Sequence, residues 1–327
     1  MDTPLVSVCT QAYNHAPFIR QCIEGVLMQK TTFPFEFLIH DDASTDETAD
    51  VIREYEARYP DIIKPIYQVE NQYSKNIAIM PAFQLPITQG KYIAMCEGDD
   101  YWTDPLKLQK QVDFLETHPD YSICGGMWQI LYEGDAEPVE HNDLVRVMRK
   151  FPKGKIITLQ DYLDPYCLHF LTICYRKDDY KTEKYRQIKR SKDDTFYAMI
   201  LDQGKGFVFH DYFGVYRKHR GGILSGKTSK QQTLSVVECY SELVQVFGNK
   251  SKSLRNKYFE FSTNLRFIEL KTSQHLFTDY LKIIKFTFSG KIKDIVSFQI
   301  WYFLRKSRMH FINYCRERIL FYKNSSK

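Results

Sequence analysis

The fold turns on the stretch Lys91-Tyr92-Ile93-Ala94-Met95-Cys96-Glu97-Gly98-Asp99-Asp100-Tyr101-Trp102. Its first six residues are a short apolar run that predicts a buried strand. Three carboxylates then arrive within four residues at the strand's end. Carboxylates this close repel one another, and each is costly to desolvate alone. They call for a positive partner, and carboxylate oxygens suit hard cations such as Mg²⁺ or Mn²⁺. Open α/β sheets bind ligands beyond the carboxyl ends of their strands. A solvated acidic turn before a helix is the plain alternative, so the rest of the chain has to decide.

Upstream, residues 5–10 are an apolar, β-branched run, a first strand. Ile19, Ile23, Val26 and Leu27 then share one face of a helix. Tyr13 and Asn14 fall at this strand-to-helix turn, where a ring can stack on a flat base and an amide can hydrogen-bond; Asn is also common in plain turns. Residues 35–40 read as a second strand, ending in Asp41-Asp42-Ala43-Ser44-Thr45-Asp46-Glu47. Ser44 and Glu47 have capping-box spacing. That assigns Ser44 and Asp46 to capping and leaves Asp41 and Asp42 free to accept hydrogen bonds from a base or ribose. A calcium loop is excluded because its later Gly and Glu are missing. A third strand at 62–67 precedes Asn71, and 76–85 is a helix weakened by Pro81. Asp104-Pro105 opens a helix with Leu108, Val112 and Leu115 as its buried stripe. Strand and helix alternate throughout, which predicts an α/β fold with a mostly parallel, Rossmann-like sheet and helices on both faces. No Gly-x-Gly-x-x-Gly follows the first strand, so the dinucleotide fingerprint is absent.

Downstream, a strand at 121–130 leads into a polar surface excursion at 132–151, a short helix at 158–166 and a strand beside the site at 169–175. Asp193-Asp194 opens a further helix, a position where Asp is also favoured by the helix dipole alone. Strands at 206–210 and 213–216 lead to Arg217-Lys218-His219-Arg220-Gly221-Gly222, whose three cations and His suit an anion clamp. A solvated basic loop is the alternative there.

A chain of 327 residues fits one large domain plus an appendage. The net charge of +5 conceals an asymmetry: residues 227–327 carry 19 Lys/Arg against 7 Asp/Glu, whereas residues 1–226 are net acidic. This places a catalytic domain at 1–226 and a basic, aromatic-rich helical region at 227–327, with helices at 233–247, 254–269, 276–288 and 292–314. The apolar run 298–306, flanked by Lys and Arg, suits a membrane-surface helix as well as a bundle packed on the first domain. No stretch reaches 18 apolar residues, so no spanning helix is expected. No signal-peptide pattern opens the chain. The eight cysteines form no Cys-x-x-Cys pair, which points to reduced thiols in a cytoplasm. No nucleic-acid-binding motif accompanies the basic charge.

The ordered set Tyr13-Asn14, Asp41-Asp42-Ala43-Ser44-Thr45-Asp46, Asn71, Glu97-Gly98-Asp99-Asp100, Asp193-Asp194 and Tyr216-Arg217-Lys218-His219 resembles glycosyltransferase family 2, with its GT-A fold, over roughly residues 4–224. The resemblance implies an inverting enzyme that moves a sugar from a nucleoside-diphosphate donor, a UDP-sugar, to a hydroxyl of a glycan or lipid-linked acceptor. The setting it implies is bacterial surface polysaccharide synthesis at the inner face of the cytoplasmic membrane. It places Thr10, Tyr13, Asn14, Asp41, Asp42, Asn71 and Asp99 at the donor nucleotide. Asp99, Asp100 and His219 hold Mn²⁺ or Mg²⁺, Arg217 and His219 meet the pyrophosphate, and Asp194 or its neighbour Asp193 is the base. Two departures stand out: Ala43 where the family commonly has Gly, and Glu97 where it commonly has Asp.

The chemistry agrees with that arrangement. The leaving diphosphate gains charge in the transition state, which a divalent ion stabilises as a Lewis acid. Nearby Arg and His add to that effect. A separate carboxylate takes the acceptor proton. A metal-dependent nucleotidyltransferase is a second reading, but residues 10–18 lack the Gly-rich basic loop it needs. A non-catalytic sugar-nucleotide-binding adaptor is a third, and the two intact Asp pairs argue against it.

Overall fold

The structure is a computed structural model that describes residues 3–160, 167–180, 182–185, 187–188, 192–222 and 228–271. The expected helices at 276–288 and 292–314, and most of the one at 158–166, lie outside these residues. The chain divides into two compact units, Met1–Gly226 and Lys227–Lys327.

The first unit begins as two strand–helix repeats and a third strand: β1 (Val6–Ala12), α1 (Ile19–Leu27), β2 (Phe35–Asp41), α2 (Thr48–Arg58) and β3 (Ile63–Tyr67), followed by β4 (Tyr92–Met95). These strands are parallel, in the order β3-β2-β1-β4. Helix α1 buries Ile19, Ile23 and Val26 of the expected stripe, with Cys22 joining them and Leu27 only half-buried.

The remaining elements are β5 (Tyr101–Trp102), α3 (Lys107–Thr117), β6 (Tyr121–Tyr132), β7 (Val139–Glu140), α4 (Asn142–Met148), β8 (Lys155–Ile157), β9 (Cys174–Arg176), α5 (Asp193–Leu201) and β10 (Lys205–Lys218). They extend the same sheet as β9-β6-β10-β5. Here β9 is antiparallel to β4 and β6, while β6 and β10 are parallel. The sheet is therefore mixed, parallel around β1 and with both antiparallel and parallel pairings beyond β4. Residues 96–100 connect β4 at its centre to β5 at its edge, and Asp100 N–H closes a turn onto the Glu97 carbonyl at 3.0 Å. So short and bent a connection can join strands four places apart, at ~4.8 Å each, only if the sheet curls toward it.

The differences from sequence expectation are local. Residues 76–85 hold no regular α-helix; a 3₁₀ turn at Tyr73–Lys75 and a π-helical turn at Met80–Gln84 stand there, around Pro81. Residues 169–175 are not one strand. The His169 ring accepts the Leu171 N–H at 3.3 Å and turns the chain into a 3₁₀ segment, Phe170–Thr172, before β9. Residues 206–216 are one strand whose register shifts between Val208 and Gly214. The polar excursion contains β7 and α4.

Under the acidic turn the core holds a buried cation. Lys107 is fully buried and lies 3.9 Å from the Trp102 ring centre. Its ammonium donates to Gln111 Oε1 at 2.8 Å. Burial pushes its pKa down to about 8.

In the second unit, α6 (Ser229–Phe247) and α7 (Lys252–Lys271) pack together, with Tyr240 and Phe261 5.5 Å apart. A capping box between Thr228 and Gln231 opens α6.

Candidate active site

Strands β1, β2 and β4 all end on one side of the sheet, and the acidic turn follows β4 directly. Gly98 is required there by close approach: a side chain would meet His15 Nδ1 at 2.8 Å and the Gln11 carbonyl at 3.0 Å. Asp99 and Asp100 point to different partners. Asp99 Oδ2 lies 3.0 Å from His219 Nε2 and 3.9 Å from His15 Nε2. Asp100 is fully buried; its Oδ1 accepts the Arg217 backbone N–H at 2.9 Å, and its Oδ2 has no hydrogen-bond partner among the described residues. Burial and the charges of Asp99 and Glu97 hold the Asp100 carboxyl well above the usual range.

Glu97 opens to solvent on one side. Partial burial, then the charges of Asp193 and Asp99, push it up to about 8. Helix α5 thus delivers Asp193 to the same cluster. Asp193 and Asp194 are the first two residues of α5, behind a capping box between Lys192 and Thr195. Burial and neighbouring Asp194 push Asp193 up to about 6. The Tyr216 phenol lies within electrostatic reach of all of these groups. Burial, then Asp100, Glu97, Asp99 and Asp193, push it up to about 12.

The orphaned Asp100 oxygen and the crowded carboxylates fit a divalent cation. Among the described residues no three His, Cys, Asp or Glu side chains form a ready cage for one. That agrees with an ion held by one or two carboxylates together with substrate phosphates. Asp99, Asp100 and His219 are the residues that would hold it.

Several expected contacts are redirected. Arg217 is 8% exposed, and its guanidinium donates to the Asp99 carbonyl at 2.6 Å and to Gln21 Oε1. It also stacks 4.5 Å from the Tyr101 ring centre. It braces the acidic turn, and His219 meets the same turn at Asp99. Thr10 is fully buried and donates to the Cys96 carbonyl at 2.7 Å, so its hydroxyl joins β1 to β4 instead of meeting a nucleotide.

Asp41 and Asp42 do carry structural bonds, contrary to the capping-box reading. Asp41 Oδ1 accepts the Ser44 hydroxyl at 2.5 Å, and Asp42 accepts the Gln72 and Tyr73 N–H groups at 2.8 and 3.0 Å. Asp46, not Ser44, receives the first N–H of α2, at Thr48. Asn71 donates to the Asp42 carbonyl at 3.2 Å and accepts the Ser74 N–H. Asn14, at φ 54°, accepts the Thr45 N–H at 2.8 Å and so ties the β1 and β2 turns together. Tyr13 stays 45% exposed, with its ring open for stacking.

Sequence reading missed His15 and His169. His15 shares the turn of Tyr13 and Asn14, and that adjacency was the available signal. His169 carried none, since only tertiary pairing brings it to the site.

The family profile described as Glycosyl transferase family 2 matches residues 7–219. An uncharacterised Mycobacterium tuberculosis protein is 43% identical over 137 residues, 41% of this chain; the chain spans only 38% of that relative's length. A protein named putative teichuronic acid biosynthesis glycosyltransferase TuaG, from Bacillus subtilis, is 37% identical over 227 residues, covering 68% of this chain and 83% of the relative. Among solved structures, S. aureus TarS 1-349 in complex with UDP-GlcNAc superposes with a TM-score of 0.57 at 17% identity, over 88% of this chain and 77% of that one.

Proposed function

The chain belongs to glycosyl transferase family 2, and from that premise we propose an inverting transferase that moves a sugar from a UDP-sugar to a hydroxyl of a glycan or lipid-linked acceptor in surface polysaccharide synthesis. One observation carries the reading. The acidic turn after β4 and the start of α5, far apart in sequence, meet closely enough for Asp193 to perturb Glu97. Single-displacement transfer needs this pairing of a phosphate-side carboxylate group with a separate base. The names of TuaG and of the UDP-GlcNAc-bound TarS support the donor class and the polysaccharide setting.

In this reading Tyr13 stacks on the base, while buried Asp41 and Asp42 shape the turn that receives the ribose. Asp99, Asp100 and His219 hold Mn²⁺ or Mg²⁺. The ion, when bound, stabilises the growing charge of the leaving diphosphate as a Lewis acid. Asp194, with Asp193 beside it, takes the acceptor proton. Should Asp193 be the base, its carboxyl, raised to about 6, is better matched to that task than an ordinary aspartate. Residues 1–226 form the catalytic domain, and the basic region 227–327 brings it to the inner face of the cytoplasmic membrane. Among the described residues, no helix is long and apolar enough to cross a membrane.

The test is hydrolysis and transfer from UDP-glucose and UDP-GlcNAc with and without Mn²⁺. Mn²⁺-stimulated release of UDP supports the reading. Pyrophosphate release from UTP and a sugar 1-phosphate would favour the nucleotidyltransferase, and binding without turnover the adaptor.

A further inference from the structure

A row of rings leads away from the carboxylates. Tyr216 on β10 lies 4.8 Å from His169, His169 lies 5.1 Å from Trp128 on β6, and Trp128 lies 5.5 Å from His141 before α4. Three of these rings carry donors with no acceptor among the described residues: the Trp128 indole N–H, the His169 Nε2–H and the Tyr216 O–H. None of the three is sealed from the surface. The His169 proton is on Nε2 because Nδ1 accepts the Leu171 N–H. Buried Trp and Tyr donors ordinarily find a partner. Three donors on adjacent rings, reaching the surface and without an acceptor among the described residues, therefore present a row of hydrogen-bond donors that a ligand can meet.

Position and chemistry identify it. The nucleotide-side residues Tyr13, Asp41 and Asp42 follow β1 and β2. The rings stand on β6 and β10, across the acidic turn in the strand order. The Trp128 indole and the Tyr216 phenol are neutral donors near pH 7, and burial pushes His169 down to about 4. A phosphate would require cations, and these three rings supply none. A pyranose offers hydroxyl oxygens to accept the donors and C–H faces to lie against the rings.

We propose that Tyr216, His169, Trp128 and His141 form the acceptor subsite, and that the acceptor presents a neutral sugar ring rather than a phosphate or a peptide hydroxyl. This rests on the transferase reading above and specifies its acceptor.

The probes are octyl β-glycosides of glucose, galactose and N-acetylglucosamine, with octyl phosphate and a serine peptide as rivals. Saturation-transfer NMR is recorded on the full chain with Mn²⁺ and UDP, alongside transfer from UDP-glucose and UDP-GlcNAc. Trp128→Phe, His169→Asn and Tyr216→Phe each remove one donor and keep most of the packing. Loss of one hydrogen bond to a sugar hydroxyl should raise the glycoside KM by about 3- to 10-fold, with the UDP-induced thermal shift retained as proof of folding. A wild-type protein that binds UDP but gives no signal with any glycoside overturns the proposal, as does transfer to octyl phosphate or the peptide, or variants whose glycoside KM is unmoved. A wild-type protein that neither binds UDP nor cleaves a UDP-sugar overturns the transferase reading instead.

Discussion

Replacing Lys107 by Met should make the chain's stability respond differently to alkali. The folded protein encloses this ammonium against Trp102 with one strong acceptor, Gln111, and burial pushes its pKa from the ordinary 10.5 down to about 8. At 1.36 kcal/mol per pH unit that interval corresponds to ~3 kcal/mol. The sign follows from proton counting. Below pH 8 both folded and unfolded chains hold the proton, and the folded state bears the full penalty of a buried charge. Between 8 and 10.5 the folded chain has released the proton and the unfolded chain has not, so stability rises with pH. Met has similar length and no charge, so the variant lacks this response. Urea unfolding of both full-length chains, followed by tryptophan fluorescence at pH 7, 8, 9 and 10, isolates it, because other titrations cancel in the difference. The wild-type curve should gain on the variant by ~1.4 kcal/mol per pH unit above pH 8. A difference that stays flat from pH 7 to 10 would refute the argument that Lys107 is held against its charge.

The site makes its own predictions. Asp194→Asn should lower turnover by ~10²–10⁴ with UDP binding retained; collapse of UDP affinity instead would make Asp194 a binding residue and Asp193 the base. In that case kcat/KM should fall below pH about 6, where Asp193 gains its proton, and Asp193→Asn should abolish that limb. Asp99→Asn should remove the thermal stabilisation by Mn²⁺ with UDP, which is about 2.7 kcal/mol at 100-fold over Kd; full activity in EDTA would contradict any metal role. Ala43 sits at φ 61°, so Ala43→Gly should raise stability by about 1 kcal/mol in urea titration. Residues 292–327 should be needed for sedimentation with anionic vesicles, at ~1 kcal/mol per basic residue near the surface, weakening in salt; equal binding without them would assign the region to packing or assembly.

The strands up to Asp100 and the first two helices were readable because each element is local: a β-branched run, a 3.6-residue stripe, a turn of acids; the helix expected at 76–85 was not formed, because Pro81 interrupts it. The order of the later strands was not, because β9 and β5 are only three and two residues long and owe their existence to their neighbours. The same division runs through the site. Asp99, Asp100, His219 and Asp193 were legible as chemistry in ordered motifs. Arg217 was legible as a cation, but its engagement with the Asp99 carbonyl and Gln21 depends on how α1 meets β10. The rings of Trp128, His141 and His169 come from a strand, a polar excursion and a loop. Nothing in those three local sequences announces that pairing β6 with β10 will align them.

Strand β10 divides the two halves of the site by parity. The Arg217 side chain lies on one side of it, against the acidic turn, and Tyr216 lies on the other, against His169; His219 follows the strand's end and meets Asp99. Substitution at one parity can retune what is received on that side and leave the other side's contacts in place, so the two specificities are free to diversify separately. Insertion or deletion is another matter. One residue gained or lost after the irregular stretch at Val208–Gly214 would exchange the two sides at once, sending Arg217 toward the rings and Tyr216 toward the acidic turn. Descendants of this chain should therefore vary in residue identity along 214–219 while keeping its length fixed, a pattern that a set of related sequences can display without any assay.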